Sequence, residues 1–251
     1  MNYGREILIP EKKLRRKTLV SFLIFILLLL TAFLVWKNLR EQPKVAHTPK
    51  TLRNVLNFNG TFFSNFLSDQ HLAKTYPISE AVQHVRVNGD VGMNKDFDPS
   101  TWKLRLIRNA GDTLFLTLDD IKALPKTEII FDFKCIEGWS QVTHWAGVKF
   151  SDFAAKYHLD LQTKMNYVGL ETPDKKYYVG IDMPSMMHPQ TILCYEMNGK
   201  PLPMNQGYPI RLIIPVKYGI KHLKRIGTMF FSNERPPDYW YEQGYDYFSG
   251  L

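Results

Sequence analysis

The hydrophobic pattern separates one long apolar run near the N-terminus from a larger region of short alternating segments. Residues 18–36 read TLVSFLIFILLLLTAFLVW and contain no charged side chain. A helix of this length spans roughly 28 Å, which is close to the roughly 30 Å hydrocarbon core of a bilayer. Trp36 ends the run, where an interfacial aromatic residue is expected. The pattern therefore predicts a transmembrane anchor.

The charges that flank this run indicate its orientation. Residues 12–17 hold five Lys and Arg side chains, whereas residues 37–44 hold three. This bias predicts a single-pass protein of the cytoplasmic membrane, with the N-terminus inside and the remaining chain on the periplasmic side. No small-residue cleavage site follows the run, so an uncleaved anchor is predicted, with a cleaved signal sequence as the alternative. The pair Arg15-Arg16 also resembles part of a twin-arginine export signal.

The remaining pattern predicts a polar tether and one mixed domain. The predicted regions are a basic leader at 1–17, the anchor at 18–36, a linker at 37–57 and a domain at 58–251. Strands are predicted at 84–89, 101–109, 112–118, 129–134, 166–171, 176–181 and 191–197, and helices at 120–124 and 152–158, capped by Asp119 and Ser151. Many short strands with few helices favour an α+β fold over a doubly wound sheet.

Charge and cysteine content exclude several classes of protein. The net charge is +8, but residues 1–50 carry ten Lys and Arg against three acids, which leaves about +1 for the rest. Nucleic-acid binding by the folded part is therefore not predicted. The two cysteines, Cys135 and Cys194, exclude a disulfide scaffold and leave one bridge possible. No CxxC, CxxCH, HExxH or glycine-rich phosphate loop occurs, which argues against zinc-ribbon, c-type haem, zincin and nucleotide-binding folds.

Cys135 is the main candidate for chemistry. It follows the predicted strand IIFDFK and opens the turn CIEGWS, so Phe131, Phe133 and Cys135 share one face of the strand. Gly138 lets the chain bend directly afterwards. A thiolate at the edge of a core, just before a turn, is well presented to a metal. Taken alone, a buried core thiol is the alternative.

Four segments together carry a family resemblance. They are CIEGWS (135–140) with the Trp and Gly at 145 and 147, HPQTILCYEMNGKPLP (188–203), GYPIRLIIPVKYGIKHLK (207–224) and ERPPDYW (234–240). In this order they resemble the molybdopterin-binding oxidoreductase domain of the sulfite oxidase superfamily. The branch that contains the catalytic subunit of periplasmic methionine-sulfoxide reductase is the most similar. The resemblance covers roughly residues 70–248.

The resemblance implies a sulfite-oxidase-type fold and a molybdenum-molybdopterin cofactor. The metal would be mononuclear, held by one pyranopterin without an added nucleotide, and Cys135 would be its protein ligand. Matching positions imply cofactor contacts from Thr172, Gln206, Arg211, His222 and Lys224, and an upstream segment that is harder to align adds His71, Thr75 and Tyr76. Gln206 stands where the family usually has Asn or His. Basic residues within 211–225 suit a phosphate group, with a solvated basic face as the alternative reading of 217–225.

The implied activity is two-electron oxygen-atom transfer, most simply the reduction of a small or protein-bound S- or N-oxide. Sulfite-oxidising members carry arginines directly after the ligand cysteine, whereas this chain has Ile136, Glu137 and Gly138, and an acidic residue disfavours a sulfite dianion. Electrons would come from an external membrane or soluble cytochrome. Trp139, Trp145, Tyr239 and Trp240 would line a substrate mouth or pack in the core. A non-catalytic anchored binding module of the same fold, and an oxidase of a sulfite-like substrate, are the alternatives.

Overall fold

The apolar run near the N-terminus lies within one long helix. The computed structural model describes residues 10–64 and 71–250, and its first helix is α1 (Glu11–Glu41). α1 has 31 residues, none of them buried, and its most apolar window has a mean hydropathy of 2.9. By length and composition α1 qualifies as a membrane span, and the prediction of an N-terminal apolar helix is confirmed.

The chain divides into two compact units, residues 1–54 and residues 55–251. In the first unit, α1 is followed by a small hairpin of β1 (Lys44–Val45) and β2 (Thr48–Pro49). The guanidinium of Arg53 is buried against this hairpin and donates to the carbonyl oxygens of Val45 at 3.3 Å and Ala46 at 2.8 Å. These bonds provide hydrogen-bond donors for carbonyl oxygens of the turn that are shielded from water.

Residues 37–57, expected to be an irregular tether, contain regular structure. They include the last turn of α1, the hairpin and the first half of α2 (Lys50–Ser64). The least exposed positions of α2 are Arg53, Leu56, Asn57 and Gly60, which follow the i, i+3, i+4, i+7 spacing of one helical face. Because this face includes the polar residues Arg53 and Asn57, its helical spacing is not visible as a pattern of apolar residues in the sequence.

Two five-stranded sheets form the second unit, within the described residues. The first sheet has the order β10-β9-β6-β5, with β11 also paired to β9, and the second sheet has the order β4-β3-β12-β7-β8. The pairing of β12 with β3 is parallel, whereas the other pairs are antiparallel. The strands are β3 (Leu104–Asn109), β4 (Asp112–Leu116), β5 (Lys126–Lys134), β6 (Ser140–Lys149), β7 (Tyr167–Glu171), β8 (Tyr178–Asp182), β9 (Ile192–Met197), β10 (Lys200–Pro201), β11 (Arg211–Ile213) and β12 (Thr228–Ser232). The predicted α+β class is confirmed.

Within the described residues, three short α-helices connect these strands and a fourth follows the last strand. They are α3 (Leu118–Lys122), α4 (Phe150–Lys156), α5 (Met183–Met186) and α6 (Tyr239–Glu242). The cap of α3 is Thr117, which forms a capping box with Asp120, rather than the predicted Asp119. Likewise α4 begins at Phe150, one residue before the predicted cap Ser151, because Phe150 is buried in the core and its N–H donates to the Thr191 carbonyl at 3.0 Å.

The main core is built from alternating strand residues, as the sequence pattern predicts. Leu104 and Leu106 are fully buried, whereas the intervening Arg105 is exposed. They join a large cluster that includes Val168 and Leu170 of β7. A smaller cluster, with Phe131 and Trp145 among its members, lies under the end of β5. This second cluster supports the turn that holds Cys135.

The strand predicted at 84–89 is absent from the described residues, where this segment is extended but not paired in a sheet. Side chains bond its backbone instead. The Arg86 N–H donates to Oε1 of Gln141 at 2.9 Å, Nε2 of Gln206 donates to the Val85 carbonyl at 3.2 Å, and Lys224 Nζ donates to the Asn88 carbonyl at 2.7 Å. The prediction was wrong because alternation does not reveal which partner takes the backbone groups.

Candidate active site

A tight turn presents Cys135 at the edge of the core. β5 ends one residue earlier, and the Cys135 N–H donates to the Trp139 carbonyl at 2.9 Å. The Gly138 N–H donates to the Cys135 carbonyl at 3.1 Å, and Gly138 itself has φ of 88°, a conformation that favours glycine. Cys135 is 6% exposed. The backbone of the turn therefore fixes the position of the thiol.

Cys135 lines a cavity. Four further residues predicted to contact the cofactor line the same cavity, namely Gln206, Arg211, His222 and Lys224. They come from the segment 206–224, which lies over seventy positions after the cysteine in the sequence. The structure thus brings together the thiol and the basic segment that the sequence singled out.

Arg211 is a buried cation without an acidic partner. Its Nη1 donates to the Gln206 carbonyl at 3.2 Å and to the Gln206 Oε1 at 2.8 Å, and its Nη2 donates to the His222 carbonyl at 3.4 Å. Its Nε is buried and has no hydrogen-bond partner, and no carboxylate among residues 10–64 and 71–250 forms an ion pair with it. Burial lowers the pKa of Arg211 to about 10. Burying a charge without an ion-pair partner is unfavourable, and a bound anion would offset this cost.

Lys224 adds a second cation to the same wall. Its Nζ donates to the carbonyls of Asn88 at 2.7 Å and Gly89 at 2.5 Å, and its backbone forms a bridge with Arg211. Burial, followed by the neighbouring charge of Arg211, lowers the pKa of Lys224 to about 8. Both groups retain a proton at neutral pH, so the wall carries two positive charges. This arrangement fits a phosphate group.

Both nitrogens of the His222 ring have hydrogen-bond partners in the protein backbone. Its Nδ1 accepts from the Ile214 N–H at 3.5 Å and its Nε2 lies 3.1 Å from the Lys217 carbonyl, which assigns the proton to Nε2. The ring packs edge-to-face on Phe133 with centroids 4.7 Å apart. Burial, followed by the charge of Arg211, lowers the pKa of His222 to about 3, so the ring is neutral. His222 therefore acts as a rigid wall and orients Arg211 through its carbonyl.

The other four predicted contacts lie outside the lining of this cavity. Thr172 is buried in the turn after β7, where its Oγ1 donates to the Asp174 carboxylate at 2.7 Å. Thr75 forms a bridge with Phe131, and the Tyr76 N–H donates to the Ile130 carbonyl at 3.0 Å, so both residues border β5. His71 lines a second, separate cavity.

The remaining basic residues of 217–225 are engaged by protein groups. Lys217 Nζ lies 2.6 Å from the Asp182 carboxylate, and Lys221 is paired with Asp238. Arg225 donates to the carbonyls of residues 94, 204 and 208. All three side chains are buried, so the alternative of a solvated basic face is wrong. Their charges stabilise the fold, whereas Arg211 and Lys224 face the cavity.

Sequence reasoning missed the role of Asn88. Its Nδ2 donates to the Cys135 Sγ at 3.7 Å, and a hydrogen bond from Asn88, followed by one from Trp139, lowers the pKa of Glu137. The Asn88-Gly89 pair indicated a turn, and nothing local revealed a contact 47 residues away. Asn88 therefore links the thiol to an ionised carboxylate at the mouth.

Aromatic side chains surround that mouth. Trp139 and Trp240 line the cavity as one of the two sequence interpretations predicted, and Tyr245 joins them. Trp145 lines the cavity as well but is 1% exposed and belongs to the smaller core cluster, so both interpretations apply to it. Tyr239 instead packs on Tyr177, with ring centroids 5.4 Å apart. The entrance of the cavity is therefore mostly apolar, whereas the wall formed by Arg211 and Lys224 is basic.

Comparison with known proteins identifies the family. The sequence profile described as "oxidoreductase molybdopterin binding domain" matches residues 88–240, which is more than half of the chain. The chain belongs to this family. It is an enzyme, a molybdopterin oxidoreductase of the sulfite oxidase superfamily, and its cofactor is a molybdopterin. The expectations of fold, cofactor and enzymatic class are confirmed.

Two curated relatives resemble the chain over most of its length. A protein of Azospira oryzae with the provisional name protein-methionine-sulfoxide reductase subunit YedZ1 is 34% identical over 195 residues, covering 77% of this chain and 73% of the relative. The protein-methionine-sulfoxide reductase catalytic subunit MsrP of Campylobacter jejuni is 31% identical, covering 74% and 68%. Among solved structures, the sulfane dehydrogenase SoxCD from Paracoccus pantotrophus matches 66% of this chain and 46% of its own, with 17% identity and a TM-score of 0.49.

The residues at the cavity fit the cofactor that the family implies. The buried Nε of Arg211 and the ammonium group of Lys224 suit its phosphate, and the Cys135 thiolate is a strong donor to a metal. The donor set thus agrees with the family on two independent counts.

Proposed function

We propose that this protein reduces sulfoxides, with methionine sulfoxide in proteins as its substrate class. The observation that carries the proposal is one cavity lined by the Cys135 thiol, by Arg211 and Lys224, which form no ion pair within the described residues, and by aromatic rings. The names of the two relatives support the substrate class. The cofactor, when bound, supplies two-electron oxygen-atom transfer.

In this proposal each residue of the cavity has a distinct task. Cys135 ligates molybdenum, and the Asn88 amide donates a hydrogen bond to its sulfur. Arg211 and Lys224 bind the phosphate of the pterin. Gln206 holds the Arg211 fork in plane by accepting from Nη1 with both of its oxygens. Because these groups are fixed before binding, little reorganisation accompanies cofactor capture.

The mouth favours a neutral, apolar substrate over a sulfite dianion. Trp139, Trp240 and Tyr245 offer ring faces and edges to a thioether-like chain. Glu137 is ionised at the same mouth, with its side chain 52% exposed, and repels dianions. Arg86, which lies 4.0 Å from Glu137, offsets this charge only in part because the pair faces solvent. Sulfite oxidation is therefore the second candidate.

The site also requires an external electron donor. We propose that α1 anchors the protein in the cytoplasmic membrane with the catalytic domain on the periplasmic side. A membrane or soluble cytochrome would then supply electrons. The word "subunit" in the names of both relatives supports a partner protein. The unbalanced basic flank at residues 12–17 supports the orientation.

The test uses the full chain, purified in detergent from cells that make the cofactor. We expect molybdenum and pterin in equal amounts, and reduction of peptide methionine sulfoxide with a reduced viologen dye as donor. Cys135→Ser should abolish this activity, whereas Cys194→Ala should retain it, since the Cys194 sulfur is buried and bonded to the Glu196 carbonyl. Turnover of sulfite but not sulfoxide would overturn the proposal.

A further inference from the structure

The helix α2 carries an apolar stripe on its solvent side. Leu52, Val55, Phe58 and Phe62 follow each other at spacings of three, three and four, which aligns them along one face. Their exposed fractions are 44%, 51%, 67% and 46%. The least exposed residues of α2, from Arg53 to Gly60, lie on the opposite face. The stripe is therefore separate from the face that packs on the protein.

Aromatic contacts make this stripe continuous. The rings of Phe58 and Phe62 stack with centroids 6.0 Å apart, and Phe62 meets Phe63 edge-to-face at 5.2 Å. Phe63 is itself 59% exposed. A contiguous group of large apolar side chains facing water is unfavourable and marks a binding surface.

The length of the chain limits what can cover the stripe. Residues 42–49 are all that connect the end of α1 to the start of α2. Even a fully extended connection of this length reaches only about 30 Å. If α1 spans the bilayer, α2 must begin near the membrane surface.

Charge points to the same location. Residues 37–64 contain five Lys and Arg side chains against one acid, Glu41; Arg53 is buried against the hairpin, which leaves four cations for the membrane surface, and α2 contains no acid. An amphipathic helix with basic flanks and Phe on its apolar face is suited to the interface of anionic phospholipids. Interfacial aromatic residues such as these prefer the headgroup level.

We propose that α2 lies in the membrane interface, with Leu52, Val55, Phe58 and Phe62 inserted at the boundary of headgroups and acyl chains. This inference rests on the proposed anchoring by α1, but not on the proposed reaction.

Photo-crosslinking of the full chain in native membranes tests this proposal. Val55 is replaced by p-benzoylphenylalanine in one protein, and Thr61, which is exposed roughly 120° around α2 from Val55, in a matched control. After illumination, adducts are identified by mass spectrometry. We expect phospholipid adducts at position 55 in several-fold excess over position 61. Sulfoxide reduction is measured on the same samples, so failure of the reaction and failure of the membrane contact are told apart.

Each other outcome overturns the proposal. An adduct between position 55 and a protein of defined mass would assign the stripe to a partner subunit. Equal lipid yields at positions 55 and 61 would mean that α2 does not lie on the membrane with this face. Recovery of the protein in the soluble fraction would contradict both the proposed membrane anchor and the proposed interfacial position of α2.

Discussion

The guanidinium carbon of Arg211 lies 4.7 Å from the centre of the Trp145 ring. The indole covers one face of this cation, while carbonyl and amide oxygens of Gln206 and the carbonyl of His222 accept from its edge. The ring cannot neutralise the charge, although it lowers the cost of burial through a cation–π contact. The chain therefore maintains a positive site whose compensation must come from a ligand.

Replacing Arg211 should lower cofactor retention without lowering the stability of the folded chain. We expect Arg211→Met to lose at least about ten-fold in cofactor content, since a phosphate would lose a charge-assisted, bidentate donor. The cofactor-free variant should unfold at an equal or higher urea concentration, because removing an uncompensated buried charge relieves a desolvation cost of several kcal/mol. Metal analysis, pterin fluorescence and urea unfolding measure both effects.

The matched variant is Arg211→Lys, which keeps the charge but loses the planar fork. It should retain more cofactor than Arg211→Met without regaining the wild-type content. Full cofactor content in Arg211→Met would refute a phosphate-binding role for this residue.

The neutral ring of His222 should make stability depend on pH. Burial lowers its pKa from 6.5 to about 3, so between these values the unfolded chain binds a proton that the folded chain does not. Stability from this group is complete above pH 6.5 and falls as the pH drops, by about 1.4 kcal/mol per unit. Between pH 7 and pH 5 the free energy of unfolding should therefore fall by about 2 kcal/mol from this residue.

Urea unfolding of the cofactor-free chain in detergent at the two pH values checks this expectation. His222→Gln removes the titration while keeping a polar side chain, so its stability should change less over the same interval. Parallel losses in wild type and variant would mean that His222 is protonated when folded.

Glu137 should decide between neutral and anionic substrates. Hydrogen bonds from Asn88 and Trp139 lower its pKa, so it is ionised at neutral pH and its charge faces the mouth. Glu137→Gln retains an acceptor for both donors but removes the charge. We expect the ratio of kcat/KM for sulfite to that for methionine sulfoxide to rise several-fold. The charge is partly exposed, so high salt should reduce the difference between wild type and variant.

Local patterns predicted the elements and the central residue of the site, because these depend on neighbours in sequence. The alternation of Leu104 and Leu106 with Arg105 gave β3, and the alternation of Phe131, Phe133 and Cys135 placed the thiol beside a core. The apolar run likewise predicted the long helix α1.

Long-range contacts explain what the sequence could not reveal. Lys224 reaches the Asn88 carbonyl across 136 positions, and this contact removes residues 84–89 from any sheet. Similarly, charge alone does not distinguish Lys217 from Lys224, and only the family resemblance favoured Lys224. The folded chain supplies a physical reason, because Asp182 pairs with Lys217, whereas Lys224 donates to carbonyl oxygens of residues 88 and 89.

The ion pair of Lys221 and Asp238 should hold the C-terminal wall of the cavity. Both side chains are 1% exposed, and Asp238 also caps α6 by accepting from the Tyr241 N–H at 3.0 Å. α6 carries Trp240, which lines the mouth. Asp238→Asn is nearly isosteric but leaves the ammonium unpaired, so it should cost about 3–5 kcal/mol of unfolding free energy.

A double-mutant cycle identifies this cost as electrostatic. Lys221→Met alone leaves a buried carboxylate, whereas Lys221→Met with Asp238→Asn leaves neither charge, so the double variant should be more stable than Asp238→Asn alone. Urea unfolding of the four proteins gives the coupling energy. Since Trp240 depends on Asp238 for its position, KM for methionine sulfoxide should rise in Asp238→Asn and partly recover in the double variant. Strictly additive losses would mean that the two residues act independently and that the wall is held by other contacts.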